Sequence, residues 1–179
     1  MLINQKIYKF VILIFCFSIF SSISQTDEDI PLNNIAINEI PKPISSIIFE
    51  DFSGNKINLK DYKGKLVVIN FWATWWAPCK KVMPSLDNLY QDSNFKNLQI
   101  FAVNMEQPNM VKTKKFFKEL NIKKLSIYFD KNLNFVKEFK LRGVPTTIII
   151  NKKGEEFARI IGEINFQDEK FVKWLSKYD

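Results

Sequence analysis

The 179-residue chain contains no histidine. That excludes Ser–His and Cys–His nucleophilic catalysis, zinc sites built on imidazole, and histidine-assisted copper binding. Cysteine is almost as scarce, with only Cys16 and Cys79. If Cys16 leaves with an N-terminal targeting segment, one thiol remains and no internal disulfide is possible. Arginine is limited to Arg142 and Arg159, so lysine carries nearly all of the formal +7 charge. The lysines are scattered and no nucleic-acid motif accompanies them. This describes a solvated surface, and no DNA or RNA partner is expected. No metal-binding or cofactor pattern is present, and neither is expected. What the chain does have is apolar mass: 46% hydrophobic residues, 15% aromatics and 17 Phe. That is ample for one packed domain and argues against disorder.

The N-terminus has the layout of an export signal. Lys6 and Lys9 precede the apolar run Phe10 to Phe20, and small residues follow at Ser22 and Ser24. The run is short for a membrane span, which takes roughly 20 apolar residues. Residues 1–24 are therefore expected to form a signal peptide cleaved after Ser24, with an uncleaved short anchor as the alternative. Either outcome places the remainder outside the cytoplasmic membrane, in the periplasm or an equivalent space, with any membrane contact confined to this segment. Cys16 is read as a passenger in the apolar run.

Residues 25–45 are polar, contain Pro31, Pro41 and Pro43, and begin with the acidic patch Asp27-Glu28-Asp29. They are expected to form a tether or an extended arm, with the domain over 46–179. Within the domain, Ile47-Ile48-Phe49 and Lys56-Ile57-Asn58 flank a turn and predict a hairpin. Leu66 to Phe71 predicts a strand buried on both faces. Pro78 suits the first helical position, and Val82, Met83, Leu86 and Leu89 recur at helical spacing behind it. Leu98 to Val103, Leu125 to Phe129 and Thr146 to Ile150 read as strands. Val111 to Leu120, Asn132 to Phe139 and Asp168 to Lys177 read as helices. Glu155 to Ile161 returns as a hairpin partner after the turn Asn151 to Gly154. This alternation predicts an α/β domain with a mixed sheet covered on both faces.

The segment Lys63 to Lys81, with Trp75-Trp76-Ala77-Pro78-Cys79 at a strand-to-helix junction, resembles the TlpA/ResA-type branch of the thioredoxin superfamily. Gly143-Val144-Pro145-Thr146-Thr147, about 66 residues further on, matches the loop in which that family carries a cis-proline facing its redox site. The resemblance covers about residues 46–179. It implies a thioredoxin-like fold: a central mixed β-sheet flanked by helices, with an N-terminal β-hairpin. It also implies an exported thiol–disulfide oxidoreductase ancestry, several members serving cytochrome c maturation or oxidase assembly. Two positions depart from the pattern. The family motif reads W-C-x-P-C, and Trp76 stands where the first cysteine belongs. Val82 stands where many members carry a glutamate beside the thiols.

Thiol–disulfide exchange needs an exposed thiolate to attack and a second thiol to resolve the mixed disulfide. Tryptophan supplies neither. The expected function is a redox-impaired member that holds cysteine-containing or unfolded protein segments or assists a partner in cytochrome or oxidase assembly. The alternatives are a monothiol oxidoreductase using Cys79 with an external thiol, and a remnant without a ligand. Cys79 is read as an inert residue in the first helical turn, with a lone reactive thiol as the competing reading. A peroxidase is not expected, because Trp76 and Trp72 occupy the Thr/Ser and Pro places of the pattern that chemistry requires. Trp75, Trp76, Pro78, Val144, Pro145 and Thr146 are the expected peptide-holding residues, with Trp72 supporting the site from within.

Overall fold

A computed structural model describes residues 33–179. The expected signal segment, Cys16 and the acidic patch lie outside the described residues. Eight strands form one sheet in the order β1-β8-β7-β4-β5-β6-β2-β3. In chain order they are β1 (Ile35–Pro43), β2 (Ile48–Asp51), β3 (Lys56–Asn58), β4 (Leu66–Trp72), β5 (Leu98–Asn104), β6 (Ile127–Phe129), β7 (Thr146–Ile150) and β8 (Glu155–Ile161). The helices are α1 (Ala77–Leu89), α2 (Met110–Glu119), α3 (Asn134–Phe139) and α4 (Glu169–Ser176). β4 pairs parallel with β5 and antiparallel with β7, so the sheet is mixed.

β4 is the axis of the fold, and all seven of its residues are buried. Side chains alternate across a strand. Leu66, Val68 and Trp72 therefore join one core with residues of α1, α2 and α4, while Val67, Ile69 and Phe71 join a second with Phe135 and Phe139 of α3. A strand packed on both sides reads as a continuous apolar run, which is why it was visible in the sequence. The second core is aromatic: Phe49 meets Phe101 edge-on at 5.0 Å, and Phe71 meets Phe135 at 5.3 Å.

One expectation is corrected. The expected tether or extended arm reached residue 45, outside the domain, but Ile35–Pro43 forms β1, the edge strand of the sheet beside β8. It is held by backbone pairing and by Asn38 Nδ2 donating to Glu156 O, and its register breaks between Ile37 and Lys42, so it lacks the apolar alternation of a regular strand. Prolines at 41 and 43 are compatible with an edge position. The predicted hairpin is present as β2–β3 and extends the opposite side of the sheet through β6. Asp168 caps α4, accepting from the Lys170 and Phe171 amides.

Candidate active site

The pairing register brings three chain segments to one end of the sheet. Phe71 of β4 lies opposite Thr146 of β7, Thr146 lies opposite Ile161 of β8, and Trp72 lies beside Asn104 of β5. The loop leaving β4, the loop leaving β5 and the loop entering β7 therefore emerge together.

The first loop carries the motif. Trp76 is the N-cap of α1 with extended backbone, its side chain making no capping bond, and Ala77 and Pro78 form the first two helical positions. Pro78 lacks an N–H where helical donors have no partner within the helix, so it costs nothing there. Trp75 is 65% exposed and Trp76 41% exposed, their rings meeting edge-on at 5.7 Å between centroids. Trp72 is wholly buried and stacks on Phe116 at 4.7 Å. Of these three tryptophans one lies inside and two outside.

Cys79 follows in the first turn, with no exposed surface. Its amide donates to Trp76 O at 3.0 Å. Burial pushes the thiol up to about 11, against a hydrogen bond with the Ala73 backbone that lowers it, and with the Glu106 charge raising it further. A helix N-terminus favours a thiolate, but here desolvation outweighs it. At neutral pH Cys79 is a protonated, covered thiol. Val82, at the place of the family glutamate, is buried in the core.

The second loop contributes a group that the sequence reading missed. Glu106 Oε2 accepts from the Thr74 amide at 2.5 Å, and Oε1 pairs with Lys112 Nζ at 2.5 Å. The Glu106 amide donates to Asn104 Oδ1 at 2.7 Å, and the Met105 amide donates to Trp72 O at 2.9 Å. Burial works to raise the Glu106 carboxyl, but the bonds from Lys112 and Thr74 prevail and hold it below the ordinary range. A carboxylate therefore does stand near the thiol, reached from β5 and not from α1. Its position at the carboxyl end of a parallel strand, beside the strand that carries the motif, was the available signal.

The third loop holds the Val144–Pro145 peptide bond, which is cis. Thr146 Oγ1 donates to Gly143 O at 2.7 Å, and the Gly162 amide donates to Pro145 O at 2.9 Å. Pro145 and Thr146 are buried, so they offer little side-chain surface to a ligand. Val144 is half-buried and touches both cores. Among the described residues its amide and carbonyl take no hydrogen-bond partner. The accessible part of the expected peptide-holding set is thus Trp75, Trp76, Pro78 and the backbone of Val144. Among the described residues no group of three potential metal ligands is assembled.

The strand order, the strand-to-helix motif and the proline loop opposite it define a thioredoxin-like protein. The AhpC/TSA family pattern matches residues 40–155. The thiol–disulfide oxidoreductase ResA of Bacillus thuringiensis subsp. konkukian is 34% identical over 139 residues, covering 77% of this chain and 79% of its own. StoA from Bacillus subtilis superposes with a TM-score of 0.60 at 23% identity, covering 77% of this chain and 98% of its own. A secreted thiol–disulfide isomerase from Corynebacterium glutamicum gives a TM-score of 0.68 at 17% identity, covering 80% and 92%. The chain belongs to the AhpC/TSA family, as a thioredoxin-like protein of the ResA type.

Proposed function

We propose that this ResA-type protein is exported and redox-impaired, and that it holds extended protein segments, cysteine-containing or unfolded, across the end of its sheet. The observation that carries this reading is the arrangement at the N-terminus of α1. The N-cap position holds Trp76, partly exposed, and the chain's only thiol outside the expected signal segment follows three residues on with no exposed surface, pushed up to about 11 by burial. No thiolate is available to attack a disulfide. Binding does not need the thiol. Two exposed indoles supply anchor area, and the free amide and carbonyl of Val144 supply one rung of a strand-like ladder.

The reading extends to organisation and setting. Residues 1–24 act as signal peptide or anchor, and the partner is a protein met outside the cytoplasmic membrane, in cytochrome c or oxidase assembly. The burial of Cys79 counts against the monothiol alternative, since an external thiol must reach the sulfur. The test combines two measurements. The purified protein is expected to reduce insulin disulfides no faster than a buffer-plus-reductant control, and to bind extended model peptides, the binding falling by about tenfold or more in Trp76→Ala. Insulin turnover well above the control would overturn the redox-impaired reading. Peptide binding unchanged by Trp76→Ala would overturn the holding role.

A further inference from the structure

Only two arginines occur in the chain, and both line one cleft. It is a depression of about 740 Å³ on the α3 side of the sheet, between the segment joining α3 to β7 and the strands β8 and β1. Arg159 is already committed: its Nε donates to Glu156 Oε1 at 2.9 Å and its Nη1 to Phe139 O at 2.8 Å. Lys42, Lys140 and Arg142 also line the cleft. They are exposed, and among the described residues none has an ion-pair partner. Glu138 is the one unpaired acid on the lining, and one of its oxygens accepts from the Ser45 amide. The cleft therefore keeps a cationic excess.

The charge of the chain is divided in a complementary way. From residue 10 to residue 41 there is no Lys or Arg, while Asp27, Glu28, Asp29 and Glu39 all fall there. From residue 42 onward there are 24 Lys and Arg against 15 acids. The acidic run also reaches the fold at the rim of this cleft. Asn34 Nδ2 donates to Ile161 O at 3.3 Å and to Glu163 O at 2.8 Å, and the Ile161 amide donates to Asn34 O at 3.3 Å. Ile161 and Gly162 themselves line the cleft, as does Ala36 of β1. Asp29 is four residues before Asn33, so extended chain gives it a reach of about 13 Å from that point.

We propose that this cleft is a docking site for an acidic extended peptide segment, and that its occupant is the chain's own Asp27-Glu28-Asp29. Charge complementarity selects the segment. The short connection raises its effective concentration into the millimolar range, where individually weak contacts suffice. Gly143, Val144 and Pro145 line the same cleft, so the docked segment borders the loop that enters β7. The inference stands on the cleft and the charge division and does not need the peptide-holding reading.

The test is zero-length carbodiimide cross-linking of carboxylates to lysines, with links mapped by mass spectrometry. The full chain is expressed and purified with whatever N-terminus processing leaves. Links from Asp27, Glu28 or Asp29 to Lys140 are expected to exceed links to Lys152 and Lys153, in the turn at the far end of β7 and β8, by at least fivefold. They are expected to fall several-fold between 0.05 and 0.5 M salt, and the Lys140 to Val144 amide resonances are expected to shift in the Asp27→Asn, Glu28→Gln, Asp29→Asn variant. Links spread evenly over all lysines, with no resonance shift, would overturn the proposal. So would links found only between differently isotope-labelled chains, which would make the occupant a second copy.

Discussion

The Glu106 carboxylate accepts the Thr74 amide at 2.5 Å while its other oxygen holds Lys112 Nζ, fastening the loop that presents Trp75 and Trp76 to the end of β5. The bond joins two loops that share no helix or strand. Removing the carboxylate leaves a part-buried amide without its partner, which costs about 1–3 kcal/mol. Glu106→Ala is therefore expected to destabilise the protein by that amount in a denaturant melt and to shift the fluorescence of the exposed tryptophans. Glu106→Gln keeps an acceptor for Thr74 and should lose less. Equal losses in the two variants would show that the ion pair, not the amide bond, is what matters.

Trp76→Ala should leave stability within about 0.5 kcal/mol of the parent, as surface substitutions usually do. Trp72→Ala, at a residue with no exposed surface, should cost roughly 3–5 kcal/mol through the cavity it leaves. Urea unfolding of the two variants reads the difference directly. A large loss for Trp76→Ala would make it a packing residue and remove the main support for an indole anchor.

Cys79 should resist alkylation. At pH 8 the native protein should react with iodoacetamide at least tenfold more slowly than the chain unfolded in guanidinium, because both exposure and thiolate are withheld. The linkage has a defined sign. The folded pKa is raised from an ordinary value near 9.0 to about 11, so the folded state binds the proton more tightly. The thiol then favours folding below pH 9, and this contribution falls as pH rises from 9 through 11. Cys79→Ala should flatten stability in that window. The raised Tyr62 and Tyr128 act in the same direction and remain in the variant, so the difference between the two proteins is the quantity to measure.

Trp76→Cys should restore a dithiol. The new thiol would sit at the N-cap of α1, three residues before Cys79, where the helix end favours the thiolate. Mild oxidation should yield an internal disulfide, seen as loss of both free thiols, and insulin reduction should rise above the parent. Val82 is expected to keep the rate low. Failure to form the disulfide would show that the backbone around Trp76 no longer fits a dithiol.

Much of the fold was legible because local pattern and final environment agree. β4 is apolar along its length since both faces are covered, and α1 and α4 carry apolar residues at helical spacing since each has one inward face. β1 was not legible, because its place beside β8 depends on backbone pairing and on an edge that accepts prolines. The site divides in the same way. Trp76, Cys79, Val144 and Pro145 were apparent through the family resemblance of the two segments that carry them. Glu106 was hidden, since a lone glutamate after a strand says nothing about which amide it will meet.

The sequence alone determined the residue types at the redox position, and with them the absence of a second thiol outside the expected signal segment. Spacing along the chain also set the α/β order and the strand-to-helix junction. Only the tertiary structure decided that Cys79 is covered and protonated, because its pKa depends on what packs over it. The fold also decided that Pro145 and Thr146 are sealed while the Val144 backbone stays open. It further decided that an acid from the loop after β5 comes near enough to Cys79 to act on its charge. These properties depend on distances between residues far apart in the chain, and such distances exist only once the sheet has brought its strand ends together.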